Sequence, residues 1–500
     1  MSQLRTETLN GVSWSAVSQI GRHIFQFVTT VVLARLLVPE DFGLIAMISV
    51  FTGFAGTFTQ IGLGAALVQN QNVEERHYSS VFWLNVATGF FLMICVAASG
   101  PLIAAFYSEP RLSNLTIVVA LCFFVGSFNI VQLAILRRKL NFRLLAGIEI
   151  VSALVGDVGA IALALSGYGV WSLACKPLLA TVITAISAWK LTGWRPQFQL
   201  DRSAVRDLLN FSSNALGFSA STYWISNADN LLIGKFIGPV GLGLYARAYN
   251  LMLLPVLELF NVVSRVMFPA FSRIQEDKTR IKRIYLKAVG ATSLFIFPMM
   301  WGLFVVSNDF VQALYGPKWH AVVPILEILC LVGLAEYMSA TTGWLFLSLG
   351  RSDWMFRWSI VRGAVTLFAF AVSIRWGVTG VASAYAVTRI PLTYVEFYLA
   401  GKLINLPFRE VLRNVSGILA CSVVMAAFTW VVGVILPHHW SAWARLLVLV
   451  TCAVLFYFGL VSSFNLTAFQ IVRQLAVERW QLRHSGQLRQ QTAISESGAD

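Results

Sequence analysis

Apolar residues occur along this chain in long blocks separated by short polar breaks. A helix that crosses the hydrocarbon core of a bilayer needs about 20 mostly apolar residues. By that measure fourteen spans are predicted, at 11–34, 43–63, 79–103, 114–136, 145–166, 168–190, 211–235, 244–268, 288–308, 321–347, 357–375, 378–401, 411–436 and 443–465. Two of the breaks are tight turns, Ser166-Gly167-Tyr168 and Arg375-Trp376-Gly377. No connecting segment exceeds about 20 residues, which leaves no room for a folded soluble catalytic or nucleotide-binding domain. The expected fold class is an all-α integral membrane protein. After Asn465 an amphipathic stretch, with Phe469, Val472, Leu475 and Trp480 on one side and arginines on the other, is expected to lie along the inner interface.

Charge gives the spans an orientation. With the N-terminus inside, the inner segments hold the Arg137-Arg138-Lys139 cluster, Lys190 to Arg206, Arg273 to Lys287, Arg409 and Arg413, and the arginines of the tail. The outer loops or their edges hold Arg35, Arg111, Lys235, Lys318 and Arg375. The positive-inside rule therefore predicts that both termini are cytoplasmic. Only 12% of the 500 residues are charged and 57% are hydrophobic, whereas soluble domains carry about 25% charged residues. A soluble enzyme, a disordered chain and a disulfide scaffold are excluded. The net charge of +14 suits anionic phospholipid at the inner surface, and no nucleic acid is implied. Cys95, Cys122, Cys175, Cys330, Cys421 and Cys452 all lie in apolar runs without metal spacing and read as packing residues. The polar stretch Met1 to Asn10 leads to no cleavage site, so no removed signal peptide is expected.

The chain also repeats itself. ARLLVPEDFGLIA at 34–46 matches GKFIGPVGLGLYA at 234–246, pairing Arg35 with Lys235, Pro39 with Pro239 and Gly43 with Gly243 at an offset of 200. Tyr107 to Cys122 then matches Tyr315 to Cys330, Phe142-Arg143 matches Phe356-Arg357, and Gly169-Val170 matches Gly380-Val381, at offsets of 208, 214 and 211. Matches in the same chain order indicate a duplicated six-helix unit; chance likeness among helices rich in glycine, leucine and alanine is the alternative. Six is even, so the two units insert as parallel repeats. The expected organisation is an N-terminal lobe over 1–190, a cytoplasmic linker over 191–210 and a C-terminal lobe over 211–401. A C-terminal helix pair over 402–465 and a cytoplasmic tail over 466–500 complete it.

The first span of each repeat carries a polar stripe at helical spacing: Ser15, Gln19, Arg22, Gln26 and Thr29 in one, Ser212, Ser219, Thr222, Ser226 and Asp229 in the other. Such a stripe faces protein or water rather than lipid. Glue between helices is the alternative for the serines. Further intramembrane charges are Glu149, Asp157, Lys176, Arg247, Glu258, Arg265, Glu327, Glu336, Arg362, Arg389 and Glu396. A charge at the bilayer centre costs at least ~2.5–3.5 kcal/mol on insertion scales, so each calls for a partner or a ligand. Arg265, Arg362 and Glu149 lie near cytoplasmic ends, where snorkelling accounts for them. Lys176 and Arg389 sit deeper, in the last span of each repeat, and Arg247 lies just inside the outer surface; Asp157 and Glu258 are available to neutralise some of these. Cations left over suit a phosphate or diphosphate. There is no G-x-x-x-x-G-K-[ST] for ATP, no metal cluster and no nucleophile–base–acid set, so neither an enzyme nor a cofactor is expected.

Two like-oriented six-helix lobes plus two helices resemble the multidrug/oligosaccharidyl-lipid/polysaccharide flippase superfamily. Within it the chain is similar to the polysaccharide transport branch, the Wzx-type and colanic-acid-exporter-like proteins. The resemblance rests on residues 33–44 (LARLLVPEDFGL), 62–69 (GLGAALVQ), 136–142 (LRRKLNF) and 229–235 (DNLLIGK), the last running on into Gly243-Leu244-Tyr245. It implies a bacterial inner-membrane transporter that flips undecaprenyl-diphosphate-linked oligosaccharide by alternating access, with a proton or sodium as coupling ion. Polymerase and glycosyltransferases are the partners it suggests. It also implies a basic and polar cavity from spans 1, 2, 7 and 8. Span 1 supplies Arg22 and span 8 supplies Arg247, but span 2 has no cation and span 7 carries Asp229 instead. The expected cavity residues are Gln19, Arg22, Gln26, Lys176, Asp229, Arg247 and Arg389. A cation-coupled drug exporter would draw on Asp157, Asp229 and Glu336; a membrane glycosyltransferase or polymerase would need a large acidic outer loop, which this chain lacks.

Overall fold

The computed structural model describes residues 21–22, 25–59, 67, 74–198, 223–224, 226–437 and 439–474. Among these the chain is helical without strands. Helix α1 covers Phe25–Leu36. It is followed by α2 Pro39–Thr59, α3 Glu75–Tyr107, α4 Arg111–Ser127, α5 Ile130–Arg138, α6 Phe142–Leu165, α7 Val170–Thr192, α8 Ala228–Phe236 and α9 Pro239–Arg273. Then come α10 Lys278–Leu314, α11 Val322–Ser348, α12 Ser352–Ser373, α13 Gly377–Ile404, α14 Phe408–Ile435 and α15 Ala442–Ser463. All six cysteines are free thiols.

Local chemistry sets many of these boundaries. Helix α2 begins at Pro39 with Glu40 and Asp41 in its first turn, where a missing N–H costs nothing and carboxylates meet the positive end of the helix dipole. The Asn141 side chain accepts from Leu144 N at the start of α6, and Ser441 does the same for Ala444 N at the start of α15. Helix α7 stops at Gly193, whose φ of +62° favours glycine. The fourth predicted span is broken: α4 and α5 meet at a bend of 42°. The Gly126-Ser127 pair sits at the break, and Phe128 N and Asn129 N bond three residues back, to Val125 O and Gly126 O.

Ten helices among the described residues are long and apolar enough to cross a membrane, or eleven with the bent pair as one span. One of the ten is the 53-residue run Ser352–Ile404, which a 3-10 turn over Ile374–Trp376 and Gly377 at φ +72° divide into α12 and α13.

The chain divides into two compact units: residues 1–246, 314–319 and 367–381, and residues 247–313, 320–366 and 382–500. In the first unit, Phe82 anchors a core with Leu67, Val81, Val131 and Ile135, covered by Trp189 and Trp194. The start of the expected linker is strapped onto α3. Trp83 Nε1 donates to Gln197 O at 2.9 Å, Gln197 N donates to Ser79 Oγ at 3.0 Å, and Phe198 stacks on Trp83 with centroids 4.6 Å apart.

Residues paired by the offset of 200 make a reciprocal set of contacts in this unit. A Cβ on Gly43 would enter the carbonyl of Pro239, and a Cβ on Gly243 would enter the carbonyl of Pro39. Only two facing glycines allow the starts of α2 and α9 to pack backbone to backbone. Arg35 Nε donates to Leu314 O at 2.8 Å, at the last residue of α10. Its counterpart Lys235 donates to Phe106 O, near the last residue of α3. Phe106 and Leu314 are themselves 208 residues apart, the offset of the second sequence match. Each cation thus satisfies a carbonyl left open at a helix C-terminus.

In the second unit Arg445 staples the C-terminal helix pair. It donates to Asp309 Oδ1 on α10 at 2.9 Å, and to the carbonyls of Gly433 at 3.1 Å and Leu436 at 3.0 Å at the end of α14. Tyr457 OH to Leu294 O at 2.9 Å and Asn414 Nδ2 to Leu286 O at 2.8 Å tie the same pair to α10.

Candidate functional site

The second unit contains a cavity of about 870 Å³ walled by α9, α11, α12 and α13. The helical period puts its lining in place. On α11, Glu336, Ser339, Ala340, Gly343, Trp344 and Leu347 follow steps of three and four and share one face. On α13 Arg389 and Glu396 are seven apart, and on α12 Met355 and Arg362 are seven apart. Helix α9 contributes Phe260, Ser264, Arg265 and Phe268. Glu336 lies fourteen residues into α11, about 20 Å along its axis, which places the cavity at mid-helix depth.

Two ion pairs cross this space. Arg389 Nη2 donates to Glu336 Oε2 at 2.7 Å, and Tyr385 OH donates to Glu336 Oε1 at 2.5 Å. Arg362 Nη1 reaches Glu396 Oε2 at 3.4 Å. Ser339 Oγ and Thr342 Oγ1 donate to Glu396 at 2.6 and 3.0 Å. Every carboxylate oxygen is therefore engaged. The donors are not used up: Arg389 Nε and Trp344 Nε1 are buried without a hydrogen-bond partner among the described residues. The Arg362 side chain stays 31% exposed. Phe260 stacks on Trp344, centroids 5.5 Å apart and planes 9° from parallel. With Arg265 the lining carries three cations and two anions, a net charge of +1. The lining is thus net positive, with Arg265 and Arg362 its accessible cations.

The expected site residues are placed as follows. Arg389 is in this cavity. Arg247 also belongs to the second unit and is half-buried. In the first unit Lys176 Nζ lies 2.5 Å from Asp157 Oδ1, across α7 and α6. Gly156 permits that approach, since a Cβ there would already touch Ala180 Cβ and Lys176 O at 3.0 Å. Arg22 Nη1 pairs with Glu149 Oε2 at 3.3 Å, both partly exposed. Asp229 accepts from Tyr245 OH at 3.1 Å and from Asn230 N at 2.7 Å. Gln26 is exposed on α1. Gln19 lies outside the described residues, as do Ser15, Ser212, Ser219 and Thr222 of the polar stripes.

Arg362 and Glu149, expected to snorkel, each also have an ion-pair partner, Glu396 and Arg22. Trp344 and Ser339 are cavity residues that sequence reasoning passed over. Their signal was present, since Glu336, Ser339, Gly343 and Trp344 form a small-and-polar stripe at helical spacing within an otherwise apolar span.

Residues 32–324 match the family described as polysaccharide biosynthesis protein. The teichuronic acid biosynthesis protein TuaB of Bacillus subtilis is 29% identical over 489 residues, 95% of this chain and 99% of that one. The lipopolysaccharide biosynthesis protein WzxC of Escherichia coli is 26% identical over 406 residues, 80% of this chain and 82% of that one. The solved structure of the lipid II flippase MurJ in its inward closed conformation superposes with a TM-score of 0.72 at 15% identity. The match covers 91% of this chain and 98% of that one, so the two share a fold.

Proposed function

Because the chain belongs to the polysaccharide biosynthesis protein family, we propose that it flips undecaprenyl-diphosphate-linked oligosaccharide units from the inner to the outer leaflet of a bacterial inner membrane. The observation that carries this reading is the polar cavity at mid-helix depth, walled by Arg265, Arg362 and Arg389, in a chain otherwise built of apolar helices. A sugar-diphosphate headgroup does not cross hydrocarbon unaided, since burying its charges and hydroxyls without partners costs many kcal/mol. Fixed donors inside a helical bundle replace the lost water while the polyprenyl tail stays in lipid. The names of TuaB, WzxC and MurJ refer to cell-surface glycans or to a lipid-linked precursor, which supports this substrate class.

Transport proceeds by alternating access between the two repeats, driven by a proton or sodium gradient rather than by chemistry on this chain. Gln19, Arg22, Gln26, Lys176, Asp229, Arg247 and Arg389 are the proposed headgroup contacts. Dividing the 53-residue run in two takes the eleven membrane helices among the described residues to twelve; fourteen spans with both termini cytoplasmic is the proposed topology. Polymerase and glycosyltransferases are the proposed partners.

Complementing a deletion strain and staining the exported polymer tests the reading. R22Q and R247Q are expected to cut export while the protein inserts at normal level; wild-type export from both overturns the assignment. The acids Glu336 and Glu396 favour a second reading, a cation-coupled drug exporter, which predicts drug sensitivity with unchanged polymer in the deletion strain.

A further inference from the structure

We propose that the starts of α10 and α14 form a binding site for an anionic glycerophospholipid, whose phosphate is held by Arg283, Lys287, Arg409 and Arg413. All four belong to the second unit. The site shares no residue with the cavity described above, and it stands whether or not the chain flips oligosaccharides.

The two helices lie side by side and run the same way. Their contacts advance together: Lys282 Nζ meets Glu410 Oε2 at 2.7 Å, Asn414 Nδ2 donates to Leu286 O at 2.8 Å, and a Cβ on Gly302 would meet Met425 Cε at 3.8 Å. Positions 282 and 286 therefore face α14, and positions 410 and 414 face α10. Each step along a helix turns the side chain by about 100° in one sense. Arg283 and Lys287, one step after the contact positions of α10, turn to one side of the seam. Arg409 and Arg413 are one step before the contact positions of α14, and in a parallel pair that brings them to the same side. Four cations thus flank one groove between axes about 8–10 Å apart. All four are exposed, and none forms an ion pair among the described residues. The carboxylate in the seam, Glu410, is taken by Lys282.

The groove is closed above the cations. A Cβ on Gly417, one turn beyond Arg413, would lie 3.0 Å from Leu466 Cδ2, and one on Gly290 would lie 3.6 Å from Ala468 Cβ. By the same helical geometry both glycines point to the side of the four cations, so the segment leading into the helix over 467–474 roofs the groove there. Phe464, just before this roof, is 68% exposed and offers apolar surface to an acyl chain. Depth then decides the class of ligand. The predicted spans 288–308 and 411–436 begin at these cations, on the side that the positive-inside rule gives to the cytoplasm. That is the level of lipid headgroups, where basic pockets between helices take lipid phosphates. An acidic protein would have to displace headgroups to reach it. Two cations on each helix suit a lipid with two phosphodiesters better than a lipid with one.

The test is native mass spectrometry of the full-length protein in detergent, titrated with phosphatidylglycerol, cardiolipin or phosphatidylcholine. Saturable binding of one anionic lipid is expected, tighter for cardiolipin, with no competition from phosphatidylcholine. Each basic residue near such a headgroup is worth about fivefold in affinity. R283Q/K287Q and R409Q/R413Q should therefore each weaken binding about tenfold or more, and either pair tests the site should the other not fold. R137Q/K139Q/K190Q/R357Q removes four cations from other exposed positions and should leave the affinity unchanged. Equal weakening by that control, or equal binding of phosphatidylcholine, means diffuse surface charge and overturns the site. Displacement of the lipid by inorganic phosphate at matching concentration makes a free anion the ligand and overturns it as well.

Discussion

Replacing Gly43 or Gly243 with alanine puts the reciprocal contact of the two repeats to a quantitative test. The added Cβ of Gly43→Ala would lie inside the carbonyl of Pro239, and that of Gly243→Ala would lie inside the carbonyl of Pro39 and 3.0 Å from Gly43 N. The obstacle is backbone, not the tip of a flexible side chain, so the starts of α2 and α9 must part. Overpacking of this kind costs about 1–3 kcal/mol. Parting also stretches the Arg35 to Leu314 and Lys235 to Phe106 bonds, worth about 1 kcal/mol each. Against this, alanine in place of a helical glycine gains about 1 kcal/mol. Each single variant is therefore expected to lose roughly 2–4 kcal/mol. One separation accommodates both methyl groups, so the double variant should cost less than the sum by about 1 kcal/mol or more. Gly459→Ala on α15, where a Cβ meets nothing within 4 Å, is the control and should be neutral or slightly stabilising. Denaturant unfolding of the purified protein, followed by tryptophan fluorescence, reads all four. If G43A and G243A behave like G459A, or if their effects simply add, the two glycines do not share a contact.

Two further perturbations concern charge. Lys176→Met strands Asp157, which is only 2% exposed, and should cost about 3–5 kcal/mol in the same unfolding assay; the double variant D157L/K176M should recover most of that. Polymer export should stay low in the recovered double variant, and wild-type export there would remove Lys176 from the headgroup contacts. Arg445→Met leaves Asp309 and the α14 carbonyls unpaired at a site where both side chains are 12% exposed. The expected loss is again about 3–5 kcal/mol, with partial rescue by D309N. A midpoint shift no larger than that of an exposed arginine, such as Arg283, would show that the staple is dispensable.

Length and hydropathy made the helices legible, because a run of about 20 apolar residues has one stable form in lipid. Ten described helices, or eleven with the bent pair as one, are long and apolar enough to span, and the predicted count of fourteen is not reached among the described residues. Periodicity could not reveal the 42° break after Ser127, since both halves are apolar and the cause is a two-residue change in hydrogen bonding. The offsets put Gly43 and Gly243 in register, but that Gly43 meets Pro239 is a fact about two segments 196 residues apart. The same limit applies to the candidate site. Helical spacing tells which residues share a face, as with Glu336, Ser339, Gly343 and Trp344, and says nothing of which helix that face meets. Nothing in the spacing of α12 told that α13 brings Glu396 within 3.4 Å of Arg362. The Arg445–Asp309 pair, spanning 136 residues, left no periodic trace.

Arg22, Lys176 and Arg389 all carry an acidic partner, and the pairing suits a carrier that must return empty. A lone cation at the bilayer centre costs at least ~2.5–3.5 kcal/mol, so a binding site made of bare arginines would destabilise the unloaded protein. A resident carboxylate removes that penalty, yet it occupies only some of the donors of a guanidinium. A lysine held at 2.5 Å by a buried aspartate has no planar fork to share in this way. Arginine can keep its acid and still offer N–H groups to an incoming oxyanion. The acid also tempers the attraction, since an anion entering the second unit meets a net charge of +1 rather than +3. Weaker capture favours release on the far side, because tight binding in every state of the cycle would hold the cargo without moving it. The deep glutamates are placed as counter-ions to the arginines and leave part of each guanidinium's N–H groups uncommitted to a carboxylate.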